Sequence, residues 1–307
     1  MKTLTKITLF AASIALMGCQ MSAGQIATGT NVMPTNIDSH LSKFGWEWDK
    51  DVPKNSWSFN MVDTDARSGI RSQRFELRNG DCTTRSKYKE TYWGCDNDRE
   101  RVEMTATRWD VGKDKWIGFS VKVDKNDWKK SEKESCTIIF QIHQNEENVD
   151  QGNRPQNKTG NYGSGHYIGN HGVIYGVICG NKVGIQIKRT GFEDNKFNGW
   201  VDTESKYFAS LDSINGKWND LVIRWNTVDY KNGNSNLELY ANGKRILTEK
   251  NITSNFFPEE YLFKYGLYRS YMKMNGVVSG TQVIYFDEIR HGTSLESVTP
   301  NNKDATD

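Results

Sequence analysis

Apolar and polar residues alternate along most of the chain between residues 45 and 292, in short runs broken by Gly, Asn and Asp. A period of two sends successive side chains to opposite faces, so each run predicts a strand with one face buried. Residues 135–144 give the clearest case. Cys136, Ile138, Phe140 and Ile142 fall on one face, and Thr137, Ile139, Gln141 and His143 on the other. Residues 73–78 put Phe75 and Leu77 inward and Arg74, Glu76 and Arg78 outward, and the Asn-Gly-Asp at 79–81 turns the chain. In residues 99–105, Arg99, Arg101 and Glu103 share a face. Residues 116–123 are almost continuously apolar, as in a strand covered on both sides. Further strands are predicted at 57–62, 218–225, 237–244, 262–269 and 282–290, with two more in 173–188 about a Gly180-Asn181 turn. A 3.6-residue period is nearly absent; residues 258–261 read as one helical turn. Many short strands separated by turn residues predict one all-β sandwich domain over residues 45–292, with no propeller or solenoid repeat.

The ends of the chain differ. Lys2 and Lys6 precede an apolar run from Leu9 to Met17, which is too short to span a bilayer as a helix. Leu16-Met17-Gly18-Cys19 resembles a bacterial lipobox, which implies a signal peptide over residues 1–18 and lipidation of Cys19. Gln20 after the Cys points to the outer membrane. Residues 19–44, polar and small, read as a tether, and residues 293–307 as a polar tail. The expected location is the bacterial cell envelope, with membrane contact through the lipid anchor only.

A net charge of +2 over 307 residues leaves no footprint for nucleic acid, so an anionic ligand would need a local basic cleft. Beyond Cys19 the cysteines are Cys82, Cys95, Cys136 and Cys179; an even number in an exported protein suggests two disulfides, with three possible pairings. Pairing Cys82 with Cys95 closes a polar loop, and Cys136 with Cys179 then ties two strands together. No Cys or His spacing suits zinc. The long Gly- and Asn-rich stretch 144–172 follows the 135–144 strand directly, which suits a loop over a binding groove. It carries His166, Tyr167 and His171, read either as substrate contacts or as surface polar residues.

Gln141 and His143, an amide and an imidazole two apart on an apolar strand, suit a pair that holds a carboxylate and acts on the carbon beside it. The competing reading is a hydrogen-bonded pair idle at the wet end of a strand. Four further stretches bear on the choice: Arg74-Phe75-Glu76-Leu77-Arg78, Arg101-Val102-Glu103, Lys264-Tyr265-Gly266-Leu267-Tyr268 and Tyr285-Phe286-Asp287-Glu288-Ile289-Arg290. With Gln141-Ile142-His143 in its place between them, the ordered set resembles the jelly-roll polysaccharide lyases. The likeness is to the glucuronan and heparin lyase group, and more distantly to alginate lyases with their Q-I-H and K-x-G-x-Y signatures. It covers nearly the whole domain. It implies a concanavalin-like β-sandwich jelly roll of two antiparallel sheets with a concave groove for an anionic polysaccharide.

The reaction the resemblance implies is β-elimination at a uronate. Loss of the C5 proton develops charge on the neighbouring carboxylate, which a cation or hydrogen-bond donor must stabilise, while an acid reaches the departing oxygen at C4. Arg101 and Gln141 match the carboxylate-neutralising positions. His143 matches the histidine that serves as neutraliser or base, and Tyr268 the tyrosine that serves as acid and in some members also as base. Lys264, Arg74 and Glu103 match substrate-contacting or orienting positions. Plain alternatives stand beside each: Arg101 as an ion-pair partner of Glu103 or Glu76, Tyr265 and Tyr268 as packing aromatics, Lys264 as a solvated edge residue. Lys188 and Arg189, at the end of a strand, suit either an anionic sugar or water. Ser270 stands where the alginate branch has Gln, which weakens alginate as substrate.

No cofactor is implied, and a structural Ca²⁺ held by scattered loop oxygens would leave no sequence signature. A monomer is expected. Two other functions compete: a non-catalytic glycan-binding lipoprotein, and a glycoside hydrolase. The second needs paired carboxylates about 5–5.5 Å apart. The adjacent Asp287 and Glu288 are expected on opposite faces, which would not supply them.

Overall fold

The computed structural model describes residues 47–48, 55–79, 81, 99–130, 136–145, 172–193, 196–232, 234–252, 260–270 and 280–300. Two antiparallel seven-stranded sheets form a sandwich. The first runs in the order β1 (Glu47–Trp48), β4 (Arg99–Asp110), β13 (Glu260–Ser270), β6 (Cys136–Asn145), β7 (Gly172–Cys179), β8 (Lys182–Glu193), β9 (Lys196–Ser210). The second runs β12 (Lys244–Ile252), β11 (Ser235–Ala241), β10 (Asn219–Asn226), β5 (Asp114–Trp128), β14 (Gln282–Gly292), β3 (Ser72–Leu77), β2 (Phe59–Val62). This is the all-β sandwich that the alternation predicts, in the jelly-roll form that the resemblance implies.

The predicted inward residues meet between the sheets. Phe75 packs edge-on to Tyr265 and Phe286, Phe119 edge-on to Phe140, and Phe263 stacks on Tyr265. All are buried. Such ring pairs add about 0.5–1.5 kcal/mol each beyond the area they bury. Polar ties cross the same gap: the Tyr265 hydroxyl donates to Gln73 Oε1 at 2.6 Å, and Thr137 Oγ1 donates to Gln282 Oε1 at 3.0 Å. Burial pushes the Tyr265 phenol well above its ordinary range, so it stays a neutral donor. Tyr265 is thus a packing residue, as one reading of the motif allows.

Four local expectations need correction. A register shift between Ile138 and Phe140 breaks the strict alternation of β6. Ile138 joins Tyr175, Val177 and Cys179 on the outer face with Cys136 and Tyr268 against them, while Ile139 and Phe140 both enter the core. A bulge places two successive residues on one face and so exchanges the faces of everything before it. Gln141 and His143 keep their predicted face, opposite the core residue Ile142.

Asp287 and Glu288 do not diverge. Glu288 has φ 52°, and both carboxylates turn to one segment: Asp287 Oδ2 accepts from the Arg67 and Ser68 backbone at 2.7 and 3.2 Å, and Glu288 accepts from the Ser68 hydroxyl. Burial pushes the Asp287 carboxyl up to about 6. Glu260 and Tyr261 belong to a strand rather than a helical turn.

The tail is partly structural. Leu295–Val298 forms helix α1, capped by Ser294, and Val298 is buried against Trp116 and Val222. Gly118 leaves the room, since a Cβ there would lie 1.9 Å from the Val298 carbonyl oxygen. β9 and β12, which the hydropathy pattern does not announce, are edge strands in the sheet order. An edge strand pairs on one side only and tolerates polar residues throughout.

His291, on β14, lies with Nδ1 3.3 Å from Lys115 Nζ; burial first, and that cation second, hold its imidazole down at about 4. An unfolded His titrates near 6.5. Between these values the unfolded chain binds the extra proton, so this group's contribution to stability is complete above about pH 6.5 and is lost as pH falls toward 4. His291→Gln is expected to flatten the fall of the urea midpoint across that window. Parallel pH profiles for variant and parent would refute the assignment.

Candidate active site

Strand β13 lies between β4 and β6, and its register decides which predicted residues meet. Tyr268 is opposite Arg101 of β4, Gly266 opposite Glu103, and Lys264 opposite Gln141 of β6. Tyr261, Phe263, Tyr265 and Leu267 go to the core, so Lys264, Gly266 and Tyr268 take the outer face. The K-x-G-x-Y spacing is thus one face of one strand.

Gly266 sits at the middle of the face. Its φ is 134°, and a Cβ there would stand 2.2 Å from the Val102 carbonyl oxygen, so only glycine fits. Its missing side chain also leaves a gap between the flanking strands. Across it the Gln141 Nε2 donates to Glu103 Oε1 at 2.7 Å, although the two residues lie on strands that are not neighbours. The other Glu103 oxygen lies 3.9 Å from Arg101 Nη1. Glu103 is only 1% exposed, and a carboxylate so buried persists as an ion only when paired and hydrogen-bonded. It fixes both groups predicted to face a substrate carboxylate. The Arg101 guanidinium in turn stands 4.5 Å from the centre of the Tyr268 ring.

Arg101, Glu103, Gln141 and Tyr268 therefore form one connected group, with Lys264 beside Gln141. His143 shares the face but stands further along, opposite Leu262, six residues down β13 from Tyr268. At ~3.3 Å per residue that is roughly 20 Å of strand. Arg74 is not brought to the group. It lies on β3 of the other sheet, 2.6 Å from Glu76 Oε2, because a strand two places along the chain pairs with β14 rather than β4. His166, Tyr167 and His171 lie outside the described residues, as do Cys19, Cys82 and Cys95. Cys136 and Cys179 are bonded, directly opposite each other on β6 and β7.

The outer face carries residues that the hydropathy pattern does not single out. Tyr175 of β7 is in register with Gln141, and Gln186 of β8 with Tyr175. Lys188 Nζ lies 4.9 Å from the Tyr175 ring centre, and Gln186 Nε2 lies 3.7 Å from Cys136 Sγ. A Tyr inside an apolar run looks like core; only the register shows it facing out.

No group of three or more His, Cys, Asp or Glu side chains suited to a metal ion occurs among the described residues. The Asp287–Glu288 pair stands on the second sheet, bound to the Arg67–Ser68 segment, so it offers the Gln141 face no carboxylate pair for hydrolysis.

Gly266→Ala is expected to cost about 2–4 kcal/mol of stability, from the left-handed backbone and the clash with Val102. Urea unfolding measures this directly. An unchanged midpoint would show that the strand can shift and that glycine is not required.

Comparisons with known proteins bear on the fold and the family. The crystal structure of an endo-β-1,4-glucuronan lyase from the fungus Trichoderma reesei superposes with a TM-score of 0.58 at 17% identity, covering 83% of this chain and 94% of that one. Alginate lyase A1-II′, a member of polysaccharide lyase family-7, gives 0.48 at 15% identity, covering 80% and 93%. The alginate lyase AlyA1 from Zobellia galactanivorans gives 0.44 at 14%, covering 78% and 81%. Among curated protein sequences none matches this chain. The polysaccharide lyase family model matches residues 38–290, nearly the whole of the predicted domain. The chain belongs to the polysaccharide lyase family and is an enzyme that acts on polysaccharides.

Proposed function

We propose that the enzyme cleaves a uronic-acid-containing polysaccharide by β-elimination, leaving a 4,5-unsaturated uronate end. The observation that carries the reading is the junction of Arg101, Glu103, Gln141 and Tyr268 across three neighbouring strands. A uronate whose carboxylate meets Arg101 and the Gln141 amide has donors in place for the charge that develops when C5 loses its proton. Tyr268, beside the same guanidinium, is the proton-transfer group. Its phenolate takes the C5 proton, the C4–O bond breaks as the C4=C5 bond forms, and the phenol returns a proton to the departing oxygen. Arg101 near the ring stabilises the phenolate that this sequence requires.

His143, roughly 20 Å of strand away from Tyr268, is read as a contact to the polymer beyond the reacting sugar rather than as the base. A purely glycan-binding protein would have no need of a cation over a tyrosine beside a carboxylate-binding pair. Glucuronan heads the candidate substrates, with ulvan and heparin-like chains beside it. The lipobox-like residues 16–19 support an envelope protein tethered by Cys19.

The test mixes the purified, unlipidated domain with a panel of uronate polysaccharides and follows the ultraviolet absorbance of unsaturated uronate ends. At least one polymer is expected to raise it. Tyr268→Phe should lower the rate by about a hundredfold or more with unfolding unchanged. His143→Ala should act mainly on KM. A flat trace across the panel, with binding retained in gel retardation, would overturn elimination in favour of glycan binding.

A further inference from the structure

The Tyr268 half and the Gln141 half of the outer face are not joined by continuous pairing. On one side of β6 the register with β13 changes between Tyr265 and Tyr268; on the other, the register with β7 changes between Ile138 and Phe140. Gln141 therefore belongs to one row of the sheet, with Lys264 and Tyr175, and Tyr268 to another, with Ile138 and Val177. The offset between these rows decides how far the tyrosine stands from the amide predicted to meet a carboxylate.

Beyond the irregularity β6 has little to hold it. Cys136, Thr137 and Ile138 pair with Cys179, Ile178 and Val177, while Thr137 and Ile138 also pair with Arg269 and Tyr268. A slip by one residue exchanges the two faces of a strand. Here Cys136 and Ile138 on one face differ little in polarity from Thr137 and Ile139 on the other, so burial selects this register only weakly. The Thr137 hydroxyl donates to Gln282 Oε1 of the opposite sheet, a tie that a slip forfeits but that cannot forbid one.

The disulfide does forbid it. Cys136 and Cys179 are bonded directly across β6 and β7, two residues from Ile138, the partner of Tyr268. A disulfide spans only side chains that face each other, and a one-residue slip sends one of them to the far face. The bond also lies on the Tyr268 side of the sheet: Cys136 and Tyr268 pack against the same buried group of Ile138, Tyr175, Val177 and Cys179. A cross-link over 43 residues stabilises any fold; what singles this one out is its place beside the Tyr268 row.

We infer that the Cys136–Cys179 disulfide is a positioning element of the reaction, which locks β6 beyond its irregularity and so sets Tyr268 at its working offset from Gln141. Half-buried Cys136 leaves the bond open to a dithiol. Reduction breaks the S–S bond: two electrons and two protons pass to the sulfurs, giving two thiols, and the dithiol closes to its own disulfide. The reduced enzyme holds polymer and turns it over slowly. This rests on the elimination reading for the part Tyr268 plays, though not for the locking of the strand.

The test compares the oxidised domain, the same protein reduced with dithiothreitol, and a Cys136→Val/Cys179→Val variant, which keeps the apolar packing without the bond. The probe is a homopolymer of β-1,4-glucuronate. Reduced protein and variant are expected to lose about ten- to a hundredfold in kcat with KM within about twofold, as a small misplacement of a reacting group does. Reoxidation should restore the parent, and dithiothreitol should not affect the variant further. Val298→Ala, on the second sheet, serves as a control that lowers the unfolding midpoint with kcat kept. Hydrogen exchange at residues 136–138, 177–179 and 268–269 is followed with and without reductant, independently of turnover.

Faster exchange confined to those residues on reduction would sustain the lock even if no unsaturated ends form, and only the elimination reading would then fail. An unchanged kcat in the reduced protein and the variant would overturn the inference while elimination stands. An equal fall of kcat in Val298→Ala would overturn it too, making the disulfide a general staple.

Discussion

The site depends on one carboxylate held in place where water hardly reaches. Glu103 is held by Gln141 from one side and Arg101 from the other, and each of these is itself buried. Without Glu103, Arg101 would lose the carboxylate that stands 3.9 Å from its Nη1 on the face it shares with Tyr268. Without Gln141, one carboxylate oxygen would lose a 2.7 Å donor. Each interaction is a condition for the next, and for that reason such networks act as units rather than sums. The geometry offered to a substrate is set before any substrate arrives, so little reorganisation is needed when charge develops.

That network exists because of what β13 does on its other face. Tyr261, Phe263, Tyr265 and Leu267 anchor the strand in the aromatic core, and Tyr265 ties it to Gln73 of the opposite sheet. At the strand's end Arg269, 1% exposed, pairs with Glu100 at 2.5 Å and donates to the Arg78 and Gly280 carbonyls. Burial lowers the Arg269 pKa, and Glu100 works against that loss. With both ends fixed, Gly266 can hold a backbone conformation that no other residue would accept, and Gln141 and Glu103 meet over it. Core packing and site geometry are two faces of one strand.

The second sheet shows the same logic turned to structure alone. Asp287, Glu288, Asp220 and Ser120 gather the Arg67–Ser68 segment, with Arg67 bonded to Asp220 at 2.9 and 3.1 Å. Asp287 and Glu288 sit in a motif that runs through to the end of the family-matched region, yet they stand on the sheet that does not carry Gln141. Motif membership therefore marks both sides of the sandwich, and only one side assembles the candidate site.

By itself the sequence determined a great deal. Alternation announced the strands, because a period of two is imposed by the backbone whatever the neighbours are. It also put Gln141 and His143 on one face of their strand, and the order of motifs pointed to the lyases. Tertiary structure decided the rest. The bulge at Ile138–Phe140, the turning of Asp287 and Glu288 to one segment, and the burial of Val298 depend on contacts between residues far apart in the chain. Arg74 and Arg101 sit in equally charged, equally alternating strands, and pairing alone sent one to each sheet. The junction of Gln141 with Glu103, and the bracing of Lys188 by Tyr175, were fixed by register. Register is chosen by the whole packed core, and no local run of residues carries it.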